Sequence, residues 1–312
     1  MMRIIFMGTP DFSVPALCAL AEAGHEILAV VTQPDKPKGR GKEVSMSPVK
    51  EKALEYGFPV YQPVKARAPE FVKLLTDLKP DVIVVAAFGQ LLPKSILEIP
   101  KFGCVNIHAS LLPKYRGASP IQYAVINGEE ISGITTMMMA ETIDTGEMLD
   151  QESVVLDKKE TGGSLHDKLG KTGGSLIVKT LKKLEDGTAV LQKQNDAESC
   201  YVGMIKKNMG DIDWTMDAAA IERLIRGLNP WPSAYTDWNG RVVKLWDADV
   251  VDKEYEGACG QVVECGKDYM VVKTGKGGLS IKELQLQGKK RMEIGAFLRG
   301  YQIDNGTVFK HM

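Results

Sequence analysis

The chain of 312 residues is poor in the features that announce a crosslink, a metal or a membrane. Its five cysteines (Cys18, Cys104, Cys200, Cys259 and Cys265) are odd in number and scattered, with no C-x-x-C pair. That pattern argues against a disulfide framework and for a reducing compartment, with the thiols as small buried side chains. No H-E-x-x-H and no paired Cys/His cluster offers a metal site. No apolar run approaches membrane-spanning length, and the start, M-M-R-I-I-F-M-G-T-P-D, is apolar too briefly for a secretory signal. Neither sign of charge dominates, with 39 Lys and Arg against 40 Asp and Glu. A nucleic-acid partner would have to be held by local patches rather than by a global field. These absences predict a soluble, cytoplasmic protein, long enough for two domains with real cores.

The glycine fingerprint of a nucleotide loop is also missing. Gly170-Lys171-Thr172 resembles the end of a phosphate-binding loop, but Leu165 stands where the required first glycine belongs, and no strand precedes it. Gly39-Arg40-Gly41 has no third glycine at the right place. A bare dinucleotide-binding module is therefore disfavoured. Asp144-Thr145-Gly146 invites comparison with aspartic proteases, whose mechanism needs two carboxylates sharing a proton. The triplet occurs once here, within a strand–helix alternation that suits a different fold.

What is present is a regular rhythm. Strands are expected at Arg3–Met7, His25–Thr32, Val60–Gln62, Asp81–Ala87, Cys104–His108 and Gly133–Met139. Helices are expected at Ser13–Ala23, Val49–Tyr56, Pro69–Leu78, Ser119–Asn127 and Thr161–Glu185. This alternation predicts an α/β fold, a doubly wound and mostly parallel sheet of Rossmann-like kind. Beyond Asp186-Gly187 the pattern changes. A helix at Asp217–Gly227 is stopped by N-P-W-P-S, and five short strand-like runs follow between Ala234 and Leu286. They predict a small C-terminal β-barrel resembling an OB-fold. The domain reading is 1–187 catalytic, 188–206 linker and 207–312 barrel.

The most informative segment is N-I-H-A-S-L-L-P-K-Y-R-G-A-S-P, from Asn106 to Pro120. If Cys104–His108 is a strand, Asn106 and His108 project from one face and Val105 and Ile107 from the other. A hydrogen-bond donor beside an imidazole at a strand's C-terminal end suits acyl transfer, because ligands of open α/β sheets bind at that end. Asp144 follows the next strand, so it too is expected beyond a C-terminal end. If the two strands are neighbours it can reach His108 and favour the protonated ring, and the equal alternative is that it only starts the Asp-Thr-Gly turn. The other three histidines read as surface or capping residues. A long loop from Lys36 to Lys52 holds six Lys or Arg against two Glu. Structureless loops of that length are often functional.

The run N-x-H-x-S-L-L-P-x-Y-R-G resembles the formyltransferases that use 10-formyltetrahydrofolate. With R-I-I-F-M-G-T-P-D-F, G-R-G-K followed by S-P-V-K, and D-T-G-E-M-L, the chain is similar over nearly its full length to methionyl-tRNA formyltransferases. Ser119 and the stretch Met137–Thr142 depart from the usual pattern. The resemblance implies that Asn106, His108 and Asp144 are catalytic. It implies a folate pocket formed by Phe88, Gly89, Gln90 and Leu92 with Ser110, Leu111, Leu112 and Pro113. It further implies that Gly8, Thr9, Pro10 and Phe12 border the aminoacyl end of initiator Met-tRNA, that Arg40 and Lys42 enter its acceptor stem, and that the barrel holds its backbone. The co-substrate would leave as tetrahydrofolate, with no metal, no membrane and a monomeric enzyme. A formyltransferase for sugar-nucleotide amines, or a non-catalytic RNA-binding relative, are the competing readings.

Overall fold

The computed structural model describes residues 1–38 and 43–312, so Arg40 and Lys42 lie outside the described residues. The chain divides into two compact units. Unit 1 comprises Met1–Pro120, Ile131–Val155 and His166–Val202, and unit 2 comprises Ile121–Glu130, Leu156–Leu165 and Gly203–Met312.

Unit 1 is built on strands β1 (Arg3–Gly8), β2 (Glu26–Val31), β3 (Lys36–Lys38), β4 (Glu43–Ser45), β5 (Val60–Tyr61), β6 (Val82–Ala86), β7 (Cys104–His108), β8 (Arg116–Gly117), β9 (Ile131–Met138), β10 (Met148–Val155) and β11 (Tyr201–Val202). Its helices are α1 (Val14–Glu22), α2 (Pro48–Glu55), α3 (Pro69–Leu78), α4 (Lys94–Leu97), the start of α5 (Pro120–Ile126) and most of α6 (Gly162–Glu185). The main sheet has seven strands in the order β10-β9-β7-β6-β1-β2-β5. β1 from Ile4 onward and β6 along its whole length are apolar and buried on both faces, as strands covered by helices must be. α3 begins with a proline in its first turn, where no amide bond is lost, and buries Phe71 and Leu75 against the sheet's core.

The chain winds outward from β1 through β2 to β5, then returns to the other side of β1 with β6 and β7, all mutually parallel. The strand order therefore reverses between β1 and β6, and the crevice outside their C-terminal ends is where such sheets bind ligands. The expected mostly parallel sheet is present, with one departure. β9 runs antiparallel to β7, and β10 antiparallel to β9. A parallel crossover needs a helix that carries the chain back along the full sheet. α5 has seven residues, about 10 Å of rise, and β9 starts from the end at which β7 finished.

α6 packs against the opposite face of β7. A Cβ at Gly173 would lie 2.9 Å from Ile107 Cγ2, and one at Gly174 would lie 2.9 Å from the Pro15 carbonyl oxygen. The Gly170-Lys171-Thr172 triplet thus lies inside a helix whose glycines permit close packing. The helix start is secured by reciprocal bonds, Ser164 N–H to Thr161 Oγ1 and Thr161 N–H to Ser164 Oγ.

Unit 2 contains α7 (Ala218–Gly227), β12 (Ala234–Trp238), β13 (Arg241–Val251), β14 (Val262–Cys265), β15 (Met270–Lys273), β16 (Gly278–Leu286), β17 (Met292–Glu293) and α8 (Ile294–Gly300). The antiparallel order is β12-β13-β16-β15-β14, with β17 on β16. The C-terminal segment touches both edges. Lys310 exchanges backbone bonds with Asp237 of β12, while the Phe309 amide donates to Gly260 and the Val262 amide of β14 donates to Thr307. Single bridges thereby join the two edge strands of the small sheet. Trp214, Trp238, Phe297 and Phe309 fill its interior. Lys159 bonds Asp247, the Ala248 carbonyl and Asp249, which ties the 156–165 segment to β13.

Among the described residues, no helix is long and apolar enough to cross a membrane, and no group of three or more His, Cys, Asp or Glu is placed to hold a metal.

Candidate active site

Asn106 and His108 lie two residues apart on β7, so both face the sheet surface opposite Ile107 and α6. Asn106 is half-buried, and its side chain takes no partner among the described residues. His108 is buried and held on both sides. Its Nε2 lies 2.9 Å from the Tyr115 carbonyl oxygen, and its Nδ1 lies 3.6 Å from Asp144 Oδ2. Both ring nitrogens face acceptor oxygens, so the imidazolium form is the one that can donate to both.

Asp144 does not arrive as its position after β9 suggested. Because β9 is antiparallel to β7, the end of β9 lies beside Val105, at the far end of the strand from His108. The loop 139–147 must fold back over the face that carries Asn106 and His108. It is closed at its root by the Met138 amide donating to Glu147, and Asp144 adopts a left-handed φ of 55°. Gly146 makes the fold-back possible, since a Cβ there would lie 1.7 Å from the Met138 carbonyl oxygen. Asp144 Oδ2 also accepts from the Gly117 amide at 2.8 Å.

The turn after β1 and the loop after β6 meet at the switch point. Thr9 Oγ1 donates to the Phe88 carbonyl at 3.1 Å and accepts from the Gln33 amide, while Gln33 Nε2 donates to the same carbonyl at 3.2 Å. Gly8 pairs with Ala86, and Pro10 leads into the buried Phe12, whose ring meets His166 edge-on with centroids 5.6 Å apart. Gln90 is committed structurally, accepting from the Ala66 amide and donating to the Pro63 carbonyl. Gly89 has a positive φ of 83°. At the root of the basic loop, Lys50 and Gln62 bond Asp35, and the bond from Lys50 holds that carboxyl below its usual range.

The apolar residues expected around one ring system lie in two places. Leu92 packs with Phe71, Leu75 and Ile96, whereas Leu112 packs with Met137 and Met148 and Leu111 lies against Gly133. Ser110 is buried and donates to the Lys114 carbonyl, and Pro113 follows a cis bond from Leu112. Beneath them Thr135 Oγ1 donates to the Ser110 carbonyl at 2.7 Å and accepts from the Leu112 amide and from Gln151.

Several site-building residues escaped the sequence reading. Arg116 is buried and donates to Gln194 and Asp196. Cys200 accepts from the Tyr115 amide through sulfur and from the Arg116 amide through its carbonyl. The residues around 192–202 look like part of a polar connector with one strand-like piece in the sequence, yet they line the back of the site. The length of that connector was the available signal. In unit 2, Trp214 is buried and Trp231 is exposed, as are Lys206, Lys207, Lys289 and Lys290. Arg291 pairs with Glu283 and lies over the Trp246 ring at 5.1 Å.

Comparisons with known proteins place both parts of the chain in one family. Residues 2–181 match the family model described as formyl transferase, and residues 204–302 match the formyl transferase C-terminal domain. The chain is 57% identical over 310 residues to the methionyl-tRNA formyltransferase of Agathobacter rectalis, covering 99% of each chain. It is 50% identical over 307 residues to that of Clostridioides difficile, covering 98% of this chain and 99% of the other. Among solved structures, an N-formyltransferase from Helicobacter canadensis, in complex with folinic acid and dTDP-3-aminofucose, superposes with a TM-score of 0.68 at 19% identity, over 94% of this chain and 100% of that one. HypX from Aquifex aeolicus in complex with tetrahydrofolic acid gives a TM-score of 0.64 at 18% identity, over 98% of this chain and 50% of that one. At those identities the structural likeness speaks for the fold alone. The full-length relatives, together with the Asn-His-Asp geometry on this sheet, make the chain a member of the methionyl-tRNA formyltransferase family.

Proposed function

We propose that this protein transfers the formyl group of 10-formyltetrahydrofolate to the free α-amine of methionine on initiator tRNA, giving formylmethionyl-tRNA for translation initiation. The observation that carries the reading is His108, held between the Tyr115 carbonyl and Asp144 beside Asn106, at the C-terminal end of β7. The amine nitrogen attacks the formyl carbon on N10, and the C=O electron pair moves to oxygen. Asn106 and protonated His108 donate hydrogen bonds to that oxyanion, the Nε2–H of His108 exchanging the Tyr115 carbonyl for it while Nδ1–H stays on Asp144. The oxyanion collapses, the carbon–N10 bond breaks, and His108 relays a proton from the attacking amine to the departing N10. Asp144 holds the ring and balances its charge. Atoms and charge balance with no covalent enzyme intermediate.

Folate is proposed to lie along the loop after β6, with Phe88, Gly89 and Gln90 offering backbone groups and Leu92, Ser110, Leu111, Leu112 and Pro113 shaping the walls. Gln90 serves there by shaping the loop, because its side-chain amide is already committed. Gly8, Thr9, Pro10 and Phe12 would border the aminoacyl end. Arg40 and Lys42 would reach the acceptor stem, in contacts that weaken as salt rises. Catalysis is proposed for residues 1–187 and tRNA backbone binding for 207–312, with the connecting 188–206 also contributing residues that back the site. The protein is proposed to act in the cytoplasm as a monomer.

The test is formyl transfer from 10-formyltetrahydrofolate to initiator Met-tRNA, with His108→Ala in parallel. Transfer by the wild type with a loss of at least about a hundredfold in the variant is the expected result. Transfer to a nucleotide-linked amino sugar but not to Met-tRNA would overturn the acceptor, and full activity of His108→Ala would overturn the mechanism.

A further inference from the structure

We infer that Gln194 is a positioning residue for formyl transfer, setting the place of the Asp144 carboxylate from the segment that follows α6. The inference rests on the assignment of Asp144 and His108 to the reaction.

Asp144 depends on a fold-back loop for its position, and a left-handed backbone at a non-glycine residue is costly unless its surroundings hold it. Gln194 supplies that restraint. Its Nε2 donates to the carbonyl oxygens of Asp144 and Gly146, each at 2.8 Å. Its Oε1 accepts from Arg116 Nε at 2.9 Å, which fixes the amide orientation and aims both donors at the loop. Arg116 is in turn held by Asp196 at 2.7 Å. The chain Asp196–Arg116–Gln194 therefore ends on the two carbonyls that flank Thr145. Arg116 also precedes Gly117, whose amide bonds Asp144 Oδ2.

The same segment acts on the other side of the imidazole. Cys200 Sγ accepts from the Tyr115 amide, and the Tyr115 carbonyl faces His108 Nε2. Gln194 backs the partner of Nδ1 and Cys200 backs the partner of Nε2. Gln194 alone makes contacts that nothing else in the segment duplicates, because it supplies two side-chain donors to one loop. Sub-ångström placement matters here, since a displacement of ~1 Å by a change away from the chemistry can cost on the order of 10²-fold in rate.

The test is a cycle of Gln194→Met, Asp144→Asn and the double variant, assayed in the full chain with saturating 10-formyltetrahydrofolate and Met-tRNA. Methionine keeps the length of the side chain and removes both donors. We expect Gln194→Met to lower kcat by roughly 10- to 100-fold with KM for Met-tRNA little changed. In the Asp144→Asn background the same change should cost less than about twofold, because the group it positions is already gone. A side chain with a merely structural role would multiply the two losses. Hydrogen exchange of residues 139–147 gives a readout independent of turnover and should quicken in Gln194→Met. Wild-type kcat in Gln194→Met, multiplied losses in the double variant, or unchanged exchange would each overturn the inference. Full activity in Asp144→Asn would instead sink the site assignment on which it rests.

Discussion

His108 and Asp144 face each other at 3.6 Å, although they leave neighbouring strands at opposite ends. The contact exists because nine residues between β9 and β10 turn back over the sheet instead of closing as a tight hairpin. The price of that route is a loop whose backbone must be specified at several points: the Met138–Glu147 bond, the left-handed Asp144 and the close approach at Gly146.

Asn106→Ala should lower kcat by about 10²–10³ while leaving folding intact, because it removes one preorganised donor to the oxyanion. Steady-state kinetics with a thermal melt of the same sample checks it. A wild-type kcat would show that Asn106 does not face the reacting oxygen.

Gly146→Ala should destabilise the protein by about 1–3 kcal/mol and reduce activity together, since the new methyl group must displace backbone. The Met138 carbonyl oxygen stands 1.7 Å from where that Cβ would be. Urea unfolding and formyl-transfer assays on one preparation measure both effects.

Thr135→Val keeps the shape of the side chain and removes a hydroxyl that bonds Ser110, Leu112 and Gln151 in a fully buried position. Leaving those groups unpaired should cost roughly 1–3 kcal/mol of stability, read as a lower denaturant midpoint with an unchanged m-value.

Burial pushes the Cys104 thiol up to about 12 from a reference of 9.0. The unfolded chain therefore loses this proton at lower pH than the folded one. The thiol's contribution to stability is fully present below about pH 9 and is lost as pH rises towards 12. Unfolding of wild type and Cys104→Ala across pH 7 to 11, roughly spanning that window, should show the wild-type advantage shrinking with pH. A thiol reagent should modify exposed Cys200 well before buried Cys104.

Arg40→Ala should raise KM for Met-tRNA and leave that for 10-formyltetrahydrofolate unchanged. Its effect should fade as salt is raised, because screening weakens the contact it removes. Equal effects on both substrates would remove Arg40 from the tRNA contact.

Much of the architecture was legible because its signals are local. The expected bounds of α3 and β7 match the structure, Pro69–Leu78 and Cys104–His108. A proline at a helix start and a short strand of alternating apolar residues act within a few residues of where they occur. The alternation of Asn106 and His108 on one face followed from strand geometry alone. The short runs Ala234–Trp238 and Leu279–Leu286 likewise announced a small β domain, and the strands found there are Ala234–Trp238 and Gly278–Leu286. What had no local signal was β10, whose residues MLDQESVV are too polar and too mixed to read as a strand without their partner β9. α8 and the C-terminal segment that bridges Asp237 and Gly260 were missed for the same reason.

The amino-acid sequence by itself determined which chemistry is available: an amide and an imidazole two residues apart on a strand, and a carboxylate thirty-six residues later. Side-chain type and strand period are properties of a few neighbouring residues, so no fold is needed to state them. Only the tertiary structure decided how the three meet. The antiparallel direction of β9, the fold-back of 139–147 and the return of Gln194 and Cys200 to the two sides of His108 depend on contacts between residues far apart in sequence. Such contacts form when the closed chain satisfies buried donors and acceptors that no local pattern pairs in advance.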